Sequence, residues 1–338
     1  MQSKKAVLVG IYSLDHVGGA ELYTCDLIRQ FKQRDDVDVE FFAMVQGRLS
    51  DYVRNELGVR HLSKERYDLI LTTHNVTVNE LIGKGPIVQI CHGAILDLEL
   101  PALRADYHVG ISKEICDSLT SKGFPNSLVL NGLDLEQKKP ITQPNEQLTR
   151  VLSLCQSEEA NAMLQNVCHK LGIEFVWHHK HINPNFAIEQ EINKADLVVG
   201  IGRSIYDAMA CGRPCIVFDS RAYNGNKGDG YLYPEMFEKF VQANCSGRYT
   251  NRSFTEEDML AEFKKYNAAD GERLREIAEE KLDVVASADK LLNIINRISP
   301  EVERKKRRRV FKAEFKRFRK SFKRSLKKLV GIRVSKGR

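Results

Sequence analysis

Apolar runs of strand length recur along this chain, separated by helical periodicity, and they do so in two separate series. The first series comprises residues 5–12, 37–45 (VDVEFFAMV), 67–74 (YDLILTTH), 86–93 (PIVQICHG), 105–112 and 126–134. Helical spacing runs from Ala20 through Leu22, Leu27, Ile28 and Phe31, and again through KEICDSLTSKG. Continuous apolar runs belong to strands covered on both faces, and strand–helix alternation builds a parallel sheet between helices. The polar stretch 136–147, EQKKPITQPNEQ, carries Pro140 and Pro144 without periodicity and reads as a linker. The alternation then restarts with strands at 150–155, 173–179, 195–202 and 213–219 and helices near 158–171, 187–194 and 204–211. A final helical stretch, 271–298, is expected to break once near Ser287. The pattern predicts an α/β protein of two domains, 1–138 and 150–298, joined by a 139–149 linker and facing a cleft. In such sheets ligands bind beyond the carboxyl ends of the strands.

Charge separates a further segment, 299–338. From Glu301 onward there are 18 Lys and Arg against 3 Asp and Glu, whereas the preceding residues hold 34 against 42. The acidic body gives no electrostatic reason to bind nucleic acid. Within the basic tail, Phe311, Phe315, Phe318, Phe322, Leu326 and Leu329 recur at helical spacing and form one apolar stripe among cations. That is the make-up of a helix lying on an anionic membrane surface, and it places the protein in the cytoplasm, peripheral on the inner face of the cell membrane. No apolar run approaches a membrane span, and the run after Lys4 and Lys5 reads as a first strand and not a signal peptide. Eight scattered cysteines without a C-x-x-C pair read as reduced, buried thiols.

The densest motif is GRSIYDAMACGRPCIVFD (202–219). Gly200 and Gly202 end a strand, Ser204 is a candidate N-cap, and Asp207 falls in the first turn of the helix that follows. A helix N-terminus at the cleft can hold a diphosphate, with Arg203 adding a charged donor and Asp207 accepting from ribose or sugar hydroxyls. The same residues also suit a plain strand–turn–helix in which Asp207 complements the helix dipole. His178-His179-Lys180-His181 lacks the spacing of a zinc site and reads as a loop lining the donor site. Asp36-Val-Asp38 precedes a strand, and neither G-x-S-x-G nor a P-loop occurs.

The run DAMACGRPCIV resembles the E-A-M-A-C-G-x-P-V-I segment of GT-B glycosyltransferases related to retaining family 4, including bacterial cell-surface polysaccharide types. GGAELYTCDLIRQF (18–31) resembles their G-G-A-E loop–helix, and ISKEICDSL, VLNGLD and GDGYLYPEMFEKFVQANCSGR follow in the family's order. The resemblance covers about residues 5 to 295. It implies a GT-B fold, two Rossmann-like domains, here with a basic amphipathic C-terminal helix. It also implies transfer of a sugar, with retention, from a nucleotide-sugar donor (UDP-linked by analogy) to a glycan or lipid-linked acceptor, with no cofactor or essential metal. Gly18 and Gly19 would let backbone approach the sugar or phosphate, His92 would stand near the donor sugar, and Gly19 and His92 would serve catalysis. Gly18, Gly202, Arg203, Ser204, Asp207 and Lys180 would bind the donor. Three positions depart from the family pattern. The first acid of E-x7-E falls on Val199, and the R-x-x-x-x-K phosphate clamp falls on Leu154 and Glu159. A non-catalytic GT-B-like scaffold in a glycosyltransferase complex would account for those departures.

Overall fold

The computed structural model describes residues 4–183, 185, 187–221 and 227–334, the side chains of residues 317 and 323–334 excepted. Leu326 and Leu329 of the expected stripe therefore lie outside the described side chains. The first unit runs Lys5–Ser13 (β1), Gly19–Lys32 (α1), Val37–Val45 (β2), Arg48–Asp51 (α2, continued by a π turn, Tyr52–Glu56), Leu69–Thr72 (β3), Asn75–Glu80 (α3), Ile87–Cys91 (β4), Tyr107–Gly110 (β5), Lys113–Ser121 (α4) and Asn126–Leu128 (β6). Its six strands are parallel, in the order β2-β1-β3-β4-β5-β6. Successive strand residues feed opposite layers, as a pleat requires. Val7, Val9 and Ile11 join one core with Phe31 and Phe41, while Leu8 joins the other with Ile70 and Val78.

The second unit runs Arg150–Ser153 (β7), Glu158–Leu171 (α5), Glu174–Trp177 (β8), Ile188–Ile192 (α6), Leu197–Gly200 (β9), Arg203–Ala210 (α7), Cys215–Phe218 (β10) and Gly228–Tyr231 (β11). The order is β11-β10-β9-β7-β8. Four strands are parallel, but β11 runs antiparallel to β10, so the second sheet is mixed and not wholly parallel as expected. Leu152 and Val198 face one layer of this sheet, and Val151, Leu197 and Val199 the other. The chain order reverses between β1 and β3 in one sheet and between β7 and β9 in the other, the positions at which doubly wound sheets open a crevice.

Four helices close the chain before the tail: Phe237–Phe240 (α8), Glu256–Phe263 (α9), Ala269–Lys281 (α10) and Val284–Asn293 (α11). The break expected near Ser287 falls instead at Leu282–Asp283. Leu282 ends one helix and Asp283 caps the next by accepting from the Val285 amide at 2.9 Å. Ser287 sits inside α11 and donates to the Leu130 carbonyl. At this break the chain crosses back beside the first crossing: Leu133 donates to Leu282 at 2.7 Å and Val284 to Leu133 at 3.0 Å. Gly132 permits it, because a Cβ there would stand 2.5 Å from the Val284 backbone. Val284, Ala288, Leu291, Leu292 and Ile294 thereby complete the core of the first unit. The tail is one helix, Pro300–Val334 (α12), and among the described residues no helix is long and apolar enough to cross a membrane.

Candidate functional site

Two helices begin at glycines on facing sides of the seam between the units. α1 starts behind Gly18, which is extended and offers no side-chain cap. α7 starts behind Gly202 (φ 60°), a left-handed conformation that favours glycine. Ser204 is not the N-cap, contrary to expectation; it lies inside the first turn of α7, against Gly200, and Asp207 falls past that turn because the helix starts at Arg203. The two starts touch: a Cβ built on Gly19 would lie 3.6 Å from Cβ of Arg203. A small residue at 19 lets the two helix starts, each with a positive dipole end, close on one another.

Behind this contact runs a chain of buried ions that joins the units. Arg203 Nη2 donates to Asp26 Oδ2 of α1 at 2.5 Å, and its Nε stands 3.6 Å from Asp207 Oδ1. Lys138 of the linker meets the same Asp207 oxygen at 3.2 Å and reaches Glu189 at 4.0 Å. Arg29 pairs with Asp26 at 3.1 Å and with Asp134 at 2.9 Å. Burial opposes the charge on Arg203, but Asp207 and Asp26 outweigh it and hold the guanidinium protonated. Asp207 thus answers cations of the protein itself, and Arg203 has one arm committed to Asp26. Among the described residues, Arg203 Nε and Nη1 find no hydrogen-bond partner. A buried donor left so is costly, and a ligand oxygen would relieve it. A cavity of about 470 Å³ opens beside the group, lined by Asp26, Arg29, Arg48, Tyr52, Lys138 and Arg203 among others.

A rim near the start of α1 gathers residues from that helix and from the loops after β1, β4 and β8. His92, at the end of β4, packs its ring edge-on to Tyr23 at 5.6 Å, and its Nε2 is buried without a partner among the described residues. Burial, reinforced by His74 and Arg203, lowers its pKa to about 3, so the imidazole is neutral near pH 7. Glu21 of α1 and Glu99 beyond β4 face the same space, and both carboxyls are pushed up, chiefly by burial. Glu99 is raised further by the charge of Glu21 and eased by Arg248 and Lys180. Gly93 makes room for Glu99, whose carboxylate occupies the place of a Cβ. Lys180 is exposed on the loop after β8, where its amide donates to Gln156 at 3.0 Å. In that loop His181 meets His16 of the first unit, ring centroids 5.6 Å apart. Among the described residues no group of three or more His, Cys, Asp or Glu could hold a metal ion.

The departures from the family pattern have structural counterparts. Leu154 and Val199 are buried in the second unit's cores. Glu159, in the first turn of α5, is exposed and accepts from the Ser157 hydroxyl at 2.6 Å. The amides of Gln156 and Ser157, just ahead of α5, donate to buried Asp219 at 3.0 and 3.3 Å. An internal carboxylate, itself paired with Arg221, thus takes up these amides. Sequence reasoning did not single out Glu21, Asp26, Glu99 or Lys138. Only Glu21, inside the G-G-A-E motif, carried a signal in the sequence.

No family model matches this chain, and no curated protein matches its sequence. Solved structures share its fold. A glycosyltransferase from Rickettsia africae aligns at 10% identity with a TM-score of 0.56, over 87% of this chain and 98% of that one. The catalytic domain of starch synthase IV from Arabidopsis thaliana, bound to ADP and acarbose, aligns at 11% identity with a TM-score of 0.53, over 88% and 99%. MnaA of S. aureus with UDP aligns at 10% with a TM-score of 0.51, over 86% and 96%. The fold is GT-B: two doubly wound units closed on a seam, with a C-terminal helix added.

Proposed function

We propose that the chain is a glycosyltransferase related to retaining family 4, moving a sugar from a nucleotide diphosphate donor to a hydroxyl of a glycan or lipid-linked glycan in cell-surface polysaccharide synthesis. The observation that carries this reading is the buried Arg203 guanidinium at the meeting of two glycine-started helices, with two donors unpartnered among the described residues. Fixed donors aimed at a departing diphosphate, in a seam that excludes water, stabilise charge as it develops. Here Arg203, the α7 end and Lys180 take over from the absent Arg/Lys clamp. Neutral His92 suits a hydrogen bond to the transferred sugar, and the Glu21–Glu99 pair, with raised affinity for protons, suits contact with the acceptor hydroxyl. The solved neighbours that carry UDP or ADP support a nucleotide donor. No cofactor or metal enters the scheme.

Calorimetry with UDP and UDP-sugars tests the reading: wild type binds, Arg203→Ala weakens binding at least tenfold by the usual worth of a charged hydrogen bond, about 1.5–3 kcal/mol, and Asp207→Ala weakens it by releasing Arg203 and Lys138 from their fixed places. His92→Ala lowers turnover with a smaller loss of affinity, as a contact made mainly in the transition state would. The scaffold reading is favoured by one observation, Asp219 filling the amides ahead of α5. It prevails if no nucleotide diphosphate or nucleotide-sugar binds.

A further inference from the structure

The tail helix does not simply trail from the body. Its first turns are fixed to the first unit. Val302 packs against that unit's core, Lys306 pairs with Asp106, and Arg309 donates to the Leu103 carbonyl at 3.2 Å with its guanidinium 4.4 Å from the Phe124 ring centroid. Arg104 reaches Glu314 at 2.8 Å along the flank. Residues 302, 306, 309, 310 and 313 have reduced exposure, and their spacing of three and four residues, with 309 and 310 adjacent, defines one helix face.

The four described phenylalanines lie on the other face. At 3.6 residues per turn, Phe311, Phe315, Phe318 and Phe322 cluster about 180° round the helix from the docked residues. All four are exposed, at 68%, 52%, 66% and 57%, and they stack in pairs, Phe311 on Phe315 and Phe318 on Phe322, with centroids 6.2 Å apart. The anchored face therefore keeps the stripe from folding onto the body. Exposed aromatic surface of this extent marks an interaction site. The rings are flanked by cations, within a segment of 18 Lys and Arg against 3 acids, so whatever covers them is apolar within and anionic at its surface.

We propose that α12 is an interfacial anchor whose phenylalanine stripe enters the headgroup region of an anionic bilayer, and that its docked first turns hold the β5–β6 edge of the first unit toward that membrane. The inference does not depend on the catalytic reading. A bilayer fits both features: the rings bury in the acyl boundary while Lys and Arg remain among anionic headgroups. A nucleic-acid duplex has no use for an ordered ring face, and the acidic body would oppose it.

The test uses the full chain. Sedimentation is compared on vesicles of phosphatidylcholine with phosphatidylglycerol and on vesicles of phosphatidylcholine alone, with a duplex DNA oligonucleotide in parallel. The expected result is binding to the anionic vesicles, little to the neutral ones, and at least about a tenfold fall in partition for the combined Phe311→Ser, Phe315→Ser, Phe318→Ser and Phe322→Ser variant. Because those rings are exposed, that variant should melt at the wild-type temperature, which separates lost anchoring from lost folding. Absence of vesicle binding by the full chain overturns the proposal. So does unchanged binding by the serine variant, which reduces the tail to charge alone, or duplex binding as tight as vesicle binding and indifferent to the rings.

Discussion

At the scale of single residues, the ion chain at the seam illustrates what a sequence shows and hides. Arg203 and Asp207 stood out by motif, but their partners Asp26 and Lys138 come from a helix and a linker far away in sequence, and no spacing rule links them. The pair Arg203–Asp26 is nearly sealed, with side chains 6% and 7% exposed. Breaking such a pair leaves buried Arg203 with only its looser contact to Asp207. We predict that Asp26→Leu alone lowers stability by about 3 kcal/mol, and that Asp26→Leu with Arg203→Met recovers most of that loss. Urea unfolding measures both, and a double variant no more stable than Asp26→Leu alone would overturn the expected recovery. Histidine pKa values make a second prediction. Burial lowers His74 to about 4, and His92 and His108 each to about 3. The unfolded chain binds these protons near pH 6.5, before the folded chain does, so stability is present above that pH and is lost as pH falls toward 4. Each histidine contributes about 1–2 kcal/mol of that loss by pH 5. The urea midpoint at pH 7 and pH 5 measures it, and His108→Gln, removing one titrating group, should flatten the dependence.

At the scale of elements, the strand–helix alternation was legible because each core strand is an apolar run and the breaks carry glycine or proline. The elements that escaped are those whose cause is tertiary. β11 contributes GDGY, with two glycines and no apolar run; Glu262 of α9 secures it by accepting from the Tyr231 amide at 2.9 Å. Helix ends shifted for the same reason, since the first turn of α7 is set by its contact with α1 and not by the Ser204 side chain. That contact yields a prediction about two helices and not about either residue. An alanine at position 19 would meet Arg203 at ordinary van der Waals distance, 3.6 Å, while a longer side chain would push α1 and α7 apart. Gly19→Ala should retain nucleotide binding, and Gly19→Leu should lose it with little change in melting temperature, because Gly19 is not part of a core cluster. Parallel loss in both variants would point to backbone flexibility at the loop and not to helix approach.

At the scale of the whole molecule, the two-unit plan was legible from the repeated series, but the way the chain binds the units together was not. α11 reads as the end of the second unit and packs as part of the first, since hydrophobic periodicity gives the buried face of a helix and says nothing of which core receives it. The same holds for the tail, whose charge was plain and whose docked face was not. Closure of the seam rests on this doubled crossing at 132–133 and 282–284, on the ion chain at its centre, and on a clasp at its rim. There Arg248 holds Glu114 of α4 with Nε at 2.9 and 3.2 Å and Nη2 at 2.6 Å, a two-pronged grip between the units. Both side chains are partly exposed, 23% and 37%, so the grip is worth only about 1 kcal/mol. It spans the two units and neither residue belongs to a core cluster, so that small energy should act on the open–closed balance and hardly on folding. Glu114→Gln should therefore raise the open population several-fold, by roughly the factor that 1 kcal/mol represents. Small-angle scattering should then show a larger radius of gyration than wild type in the absence of nucleotide, with the melting temperature unchanged. Saturating UDP should return the variant to the wild-type value, since a ligand gripping both helix starts favours the closed state. An unchanged radius in the variant would place control of closure at the buried ion chain instead, and the Asp26→Leu, Arg203→Met pair would then show the enlarged radius that Glu114→Gln did not.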